Sequence, residues 1–251
     1  MTEVVWPEGY GRHVLSEVDS TNAQAARILA ELAGPTWIMA ARQTAARGRR
    51  GRAWAMPQGN FAASLVLRLE ERAEQVALRS FVTSLALFDA LAAVTGRGSS
   101  FALKWPNDVL LNGGKLAGIL LESAGIGAGA GHVIIGVGVN LVAAPGAREV
   151  EEGALRPVSV LSETGVDVGQ EVFLDHLAAH YAHWEHQFVT FGFAPVREAW
   201  LLRAARLGEV MTARTGKTDV TGTFETVDER GQLVLKTRQG RQAIPAADVF
   251  F

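Results

Sequence analysis

Between residues 101 and 141 the chain alternates short apolar runs with turn-forming residues so densely that antiparallel hairpins are the natural way to fold it. Residues 101–105 read as a strand that stops at Pro106-Asn107-Asp108, a turn signature. Residues 109–111 follow, then the tight turn Asn112-Gly113-Gly114, then the run 115–122. An Asn-Gly pair between apolar runs is a strong hairpin signal, because both residues accept the positive φ that a two-residue turn requires. A Gly/Ala-rich loop, 125–131, leads to a further apolar run, 133–141. That loop can be laid over a dinucleotide-binding fingerprint. However, β-branched Val133-Ile134-Ile135 follows where a helix would have to open, so a Rossmann unit is rejected.

Helices complete this part of the chain. Ala25, Ile28, Leu29 and Leu32 recur at helical spacing over 20–32, and Thr21-Asn22-Ala23-Gln24 has the form of a capping box. Residues 36–41 read as a buried strand and 61–69 as another, separated by a polar, Gly- and Arg-rich loop over 43–60. Val76, Phe81, Leu85, Phe88 and Leu91 line one face of a long helix; Phe173, Leu177, Tyr181, Trp184 and Phe188 mark a second, and 196–202 a third. From residue 208 the pattern changes to short strand-like runs, 210–213, 220–227 and 233–237, with turns between them. This predicts a small all-β barrel appended to an α+β domain, with domains at 1–206 and 207–251.

Composition excludes several classes. The 251 residues hold 24 Lys+Arg against 26 Asp+Glu, and a net charge of −2 argues against binding nucleic acid by bulk charge. The absence of cysteine excludes disulfides, thiolate metal sites and a cysteine nucleophile. Residues 1–14 carry charges and no signal-type apolar core, so a cytoplasmic protein is expected. The most apolar stretch, taken as 133–144, is Gly-interrupted and shorter than the roughly 20 residues a membrane span needs, so no membrane is expected.

Polar residues of chemical interest fall in a few places. Arg47-Gly48-Arg49-Arg50-Gly51-Arg52 places four arginines in six residues. Guanidinium forks suit phosphate oxygens and glycine permits close backbone approach, although a solvated basic loop or a nucleic-acid patch has the same composition. Lys104-Trp105-Pro106-Asn107-Asp108 puts three polar side chains at a strand end, and Lys115 follows a glycine pair without the remaining residues of a Walker loop. Alone, Lys115 is an ordinary hairpin lysine, Asp108 a turn former, and Ser20 and Thr21 helix-capping residues. His176, His180 and His183 share a helical face; such histidines are usually surface residues, and no protein metal ligand is predicted.

Taken in order, Ser20-Thr21-Asn22, then Gln43 with Arg47-Gly48-Arg49-Arg50-Gly51-Arg52-x-Trp54, then Lys104-Trp105-Pro106-Asn107-Asp108, then Lys115-Leu116-Ala117-Gly118-Ile119-Leu120, then Gly136-Val137-Gly138-Val139-Asn140 closely resemble the biotin protein ligase family. The resemblance covers residue 17 to the C-terminus and implies a mixed-sheet catalytic domain akin to that of class II aminoacyl-tRNA synthetases, with a C-terminal SH3-like barrel. It implies a ligase that uses biotin, ATP and Mg²⁺ to make biotinoyl-adenylate. The biotin then passes to a lysine of the biotin carboxyl carrier domain of acetyl-CoA carboxylase or a related carboxylase.

By the same resemblance, Ser20, Thr21, Asn22, Gln43, Arg47, Gly48, Arg49, Lys115 and Gly118 contact biotin. Arg49, Arg52, Trp54, Asn107, Lys115 and Asn140 contact ATP or the adenylate. Lys115, Arg49 and Asp108 are implied in catalysis, Asp108 orienting or deprotonating the incoming lysine. Some family members repress transcription through an N-terminal helix-turn-helix; with 19 residues before Ser20, a monofunctional ligase without DNA binding is expected, and a homodimer is left open. Ala46 stands where the family usually has glycine, which would strain the loop if that position required positive φ. A lipoate ligase of the same superfamily and a nucleic-acid-binding module are the alternatives.

Overall fold

The computed structural model describes residues 4–124, 131–146, 155–215, 218–245 and 247–250. Its main sheet contains β1 (Gly11–Val18), β2 (Thr36–Gln43), β3 (Phe61–Leu69), β4 (Phe101–Lys104), β5 (Asp108–Leu111), β6 (Gly114–Ala124) and β7 (Gly131–Val139). Their order is β1-β2-β3-β7-β6-β5-β4. The β1–β2 pair is parallel and the other five are antiparallel. The expected hairpin is present: Asn112 (φ 49°) and Gly113 (φ 78°) both take positive φ between β5 and β6. A register shift between Val109 and Leu110 places Lys115 opposite Leu110 and Gly118 opposite Asp108. Directly opposed residues share a sheet face, so the irregularity brings Lys115, Gly118 and Asp108 to the same side.

Two-residue alternation separates the faces. Phe61, Ala63, Leu65 and Leu67 of β3 and Val133, Ile135, Val137 and Val139 of β7 enter the main core. That face is covered by α3 (Arg79–Thr95) and α5 (Gln170–Phe191), through residues such as Val82, Leu85, Leu177 and Tyr181. On the opposite face Val66 and Ile134 meet Ala25 of α1 (Thr21–Ile28) in a smaller cluster. Each fully buried Leu, Val or Phe contributes about 1.5–3 kcal/mol, so the larger cluster dominates stability. The smaller face is left partly open.

Several details differ from the sequence expectation. Of the two cap candidates, Ser20 caps α1, its backbone extended and its Oγ accepting from Ala23 N, so the capping box does not start at Thr21. The long helix begins as a separate short α2 (Ala73–Ala77). The segment Ala73–Thr95, not 133–144, has the length and apolarity of a membrane span, but 67% of its apolar 18-residue window is buried inside this molecule, as in a core helix. The strand β1 and the short helix α4 (Val160–Thr164) were not expected, and α6 (Phe193–Leu201) starts earlier than expected. Residues 125–130 of the Gly/Ala-rich loop lie outside the described residues.

The C-terminal sheet comprises β8 (Val210–Arg214), β9 (Asp219–Val227), β10 (Leu233–Thr237), β11 (Gly240–Ile244) and β12 (Asp248–Phe250), ordered β11-β10-β9-β8-β12 and antiparallel throughout. It packs against the main domain through Trp200 and Phe224, whose rings meet edge-on at 6.5 Å. Trp105 Nε1 also donates to Gly231 O at 3.0 Å.

Candidate active site

A cavity of about 640 Å³ lies over the open part of the sheet, where β6 and β7 present Gly118, Gly136 and Gly138. Small residues are required there. A Cβ on Gly138 would stand 2.8 Å from Trp54 Nε1, and one on Gly136 would stand 2.4 Å from Asn22 Oδ1. The absence of side chains on two strands thus lets the arginine loop and the start of α1 settle onto the sheet.

The α1 end of the cavity is uncharged and hydrogen-bonded. Thr21 N donates to Gln43 Oε1 at 2.7 Å, with Thr21 Oγ1 3.2 Å from the same oxygen. Buried Ser64 places its Oγ 2.7 Å from Thr21 Oγ1 and 2.6 Å from Asn22 Oδ1. Asn22 Nδ2 donates to Glu122 Oε2 at 2.7 Å.

The other end is cationic. Asp108, 9% exposed, bridges two lysines: Lys115 Nζ is 2.8 Å from its Oδ1 and Lys104 Nζ 3.8 Å from its Oδ2. Burial lowers the Lys104 pKa below its ordinary value, and the Asp108 charge partly offsets this. Lys115 Nζ also lies 5.8 Å from the Trp54 ring centre. Arg49 donates from Nη1 to Asn107 Oδ1 at 3.3 Å; burial works against its charge, and Asp248 and Asp108 offset it.

The loop from Arg47 to Trp54 closes on itself, with Gly48 N donating to Arg52 O and Trp54 N to Ala46 O. Among the described residues the non-glycine positive φ values belong to Arg50, Asn112 and Arg206, so the strain anticipated at Ala46 does not arise. It is Arg50 that takes the left-handed conformation, at φ 58°. Arg50 Nη1 then reaches Asp248 Oδ2 of β12 at 2.7 Å, and Arg52 Nη2 reaches the same oxygen at 3.3 Å.

Every residue that the family resemblance implies in binding or catalysis, namely Ser20, Thr21, Asn22, Gln43, Arg47, Gly48, Arg49, Arg52, Trp54, Asn107, Asp108, Lys115, Gly118 and Asn140, lines this one cavity; His176, His180 and His183 do not. Asn140 does so with its amide already engaged: Nδ2 donates to Val158 O and Oδ1 accepts from Asn60 Nδ2. Sequence reasoning missed Ser64, Glu122 and Asp248. A lone hydroxyl in the apolar run 61–69 was a usable signal for the first. On the histidine face His176 is buried, and among the described residues there is no group of three or more His, Cys, Asp or Glu side chains that could hold a metal ion.

Comparison with known proteins agrees with this geometry. Residues 14–140 match the model of the "Biotin/lipoate A/B protein ligase family", and 207–251 match the "Biotin protein ligase C terminal domain". The biotin--[acetyl-CoA-carboxylase] ligase of Paracoccus denitrificans is 56% identical over 238 residues, covering 95% of this chain and 99% of that protein. The bifunctional ligase/repressor BirA of Escherichia coli is 30% identical over 226 residues, covering 89% of this chain and 68% of that one. Among solved structures, the biotin protein ligase of Aquifex aeolicus in complex with biotin and ATP superposes with a TM-score of 0.80 at 26% identity, covering 95% and 97% of the two chains. With both family models found in order along a chain that has a relative 56% identical over nearly its whole length, the protein belongs to the biotin protein ligases of the biotin/lipoate A/B protein ligase family.

Proposed function

We propose that the protein joins biotin to a specific lysine of the biotin carboxyl carrier domain of acetyl-CoA carboxylase or a related carboxylase, in two steps. The biotin carboxylate attacks the α-phosphorus of ATP, forming biotinoyl-adenylate as pyrophosphate leaves. The carrier lysine, after losing a proton, then attacks the acyl carbon and AMP leaves. The observation that carries this reading is the joining, within one cavity, of an uncharged hydrogen-bonding end and a cationic end.

The uncharged end, with Ser20, Thr21, Asn22 and Gln43, suits a cyclic urea, which offers two N–H donors and one carbonyl. Lipoate has none of these at its ring, and each polar group left unmet costs about 1–3 kcal/mol. In this reading Arg47, Gly48, Arg49, Lys115 and Gly118 border the biotin tail and the reacting phosphate, while Arg52, Trp54, Asn107 and Asn140 border the nucleotide. Carboxylate and triphosphate repel one another as they approach. Lys115 and Arg49 offset that repulsion, more strongly in a partly dry cleft than in water. In this reading Asp108 acts through Lys115 and Lys104, whose amines lie 2.8 and 3.8 Å from its two carboxylate oxygens.

Mg²⁺ enters as MgATP. The donor set fits an ion held chiefly by phosphate and water, since among the described residues the carboxylates facing the cavity, Asp108 and Asp248, are each paired with cations. Residues 1–206 form the catalytic domain and 207–251 a C-terminal domain that supplies Asp248 to the cavity rim. In this reading the protein works in the cytoplasm. Biotin-dependent ATP–pyrophosphate exchange tests the proposal: the wild type exchanges with biotin and not with lipoate, and Lys115→Ala reduces exchange by at least about a hundredfold. Exchange supported equally by lipoate, or retained in Lys115→Ala, would refute it.

A further inference from the structure

Glu122 lies on β6 four residues beyond Gly118 and lines not the main cavity but an adjoining one of about 290 Å³. Its carboxylate accepts from Asn22 Nδ2, a residue that does line the main cavity. An ionised carboxylate can only accept, so the Asn22 amide nitrogen is fixed toward Glu122 and its Oδ1 toward Ser64. Oδ1 can also only accept, and at 2.6 Å it takes the single hydroxyl proton of Ser64. In the remaining hydroxyl pair, Ser64 Oγ and Thr21 Oγ1 at 2.7 Å, the proton must then come from Thr21. Thr21 is left presenting lone pairs, not a proton, to the cavity. Gln43 Oε1, which accepts from Thr21 N at 2.7 Å, lies 3.2 Å from Thr21 Oγ1, so for the single Thr21 hydroxyl proton it is the longer and weaker acceptor beside Ser64 Oγ at 2.7 Å.

We infer that Glu122 is a positioning residue for substrate selectivity: its carboxylate orders the chain Thr21–Ser64–Asn22–Glu122 so that the uncharged end of the cavity offers acceptors to an N–H-bearing ring. A charged terminus polarises such a chain, and its members act as a unit. The inference rests on the biotin reading and deepens it by naming what selects the ureido group.

The test is steady-state ATP–pyrophosphate exchange on the full-length protein, varying biotin and ATP separately, for wild type, Glu122→Leu, Ser64→Ala, the double variant and Glu122→Gln. Wild-type exchange that does not depend on biotin would defeat the underlying reading and not this inference alone. Given biotin-dependent wild-type exchange, Glu122→Leu and Ser64→Ala each raise the biotin KM about tenfold or more with the ATP KM unchanged. The double variant is no worse than the weaker single variant, and Glu122→Gln, which keeps an acceptor oxygen, falls between wild type and Glu122→Leu. A biotin KM within twofold of wild type in Glu122→Leu, equal rises in both KM values, or additive effects in the double variant would overturn it. Should Glu122→Leu fail to fold, the isosteric Glu122→Gln decides: a raised biotin KM with the ATP KM unchanged supports the inference, and wild-type values for both overturn it.

Discussion

Asp108 stands between two ammonium groups that would otherwise repel each other, and one of them, Lys104, is already disfavoured as a cation by burial. Replacing the carboxylate by an amide keeps the shape and removes the charge that holds both lysines. Asp108→Asn is therefore expected to slow adenylate formation itself about tenfold or more, not only transfer to the carrier lysine. Single-turnover measurement of each half-reaction separates the two, and a normal first step with a slow second would instead make Asp108 the base for the incoming amine. The residues of this site were legible as types and spacings, since Lys104, Asp108 and Lys115 lie close in sequence on the successive strands β4, β5 and β6. Their mutual geometry was not, because the register shift between Val109 and Leu110 that turns Lys115 toward Asp108 has no local sequence marker. Asp248 was illegible for a different reason: nearly 200 residues separate it from the arginines it meets.

At the scale of elements, α3 and α5 are tied by Arg79, a guanidinium only 1% exposed. It donates two hydrogen bonds to Glu71, at 2.6 and 2.9 Å, and two to Glu185, at 3.0 and 2.7 Å. Tyr181 donates to the other oxygen of Glu185 at 2.9 Å, and nearby Tyr10 has its pKa pushed up to about 12, chiefly by burial. Removing one partner of such a buried network leaves charge unpaired, so Arg79→Ala is expected to cost about 3–5 kcal/mol in denaturant unfolding. A loss below about 1 kcal/mol, the range of exposed pairs, would contradict this. On α5, burial lowers the pKa of His176 and of His180 below the ordinary histidine value, with Asp175 and Asp89 opposing it. The unfolded chain therefore takes up protons first as pH falls through about 6.5. Thermal stability is expected to be flat above that pH and to decline below it, and less steeply in His176→Asn/His180→Asn; an unchanged acid slope in the variant would exclude these histidines. Helices with wide apolar stripes were easy to read from sequence. The strand β1 was not, because its mostly exposed residues lack the alternation of a half-buried strand, and only its parallel pairing with β2 reveals it.

For the whole molecule, the arginine loop is the bridge between the two sheets. It leaves β2, folds over the cavity with Trp54 against Gly118 and Gly138, and is pinned at its far side to β12 through Arg50, Arg52 and Asp248. Each of those pairs is partly exposed and individually worth about 1 kcal/mol or less, so the pin is weak enough to open and strong enough to bias the loop inward. Such a balance suits a cover over a mixed anhydride that water would destroy. Two consequences follow from the same geometry. Biotin with ATP is expected to protect the loop 43–60 from protease, because in the proposed reading the ligand adds contacts from Arg47, Arg49 and Trp54 to those already made. Asp248→Asn is expected to leave unfolding stability within about 1 kcal/mol of wild type while raising loop cleavage in the unliganded protein severalfold and the ATP KM with it. The biotin KM should move less, because the uncharged end of the cavity is held by α1 and β3 and not by the C-terminal sheet. Equal loop cleavage in wild type and Asp248→Asn would show that β12 does not hold the cover. In that case the loop's own internal bonds, from Gly48 to Arg52 and from Trp54 to Ala46, suffice to shape it.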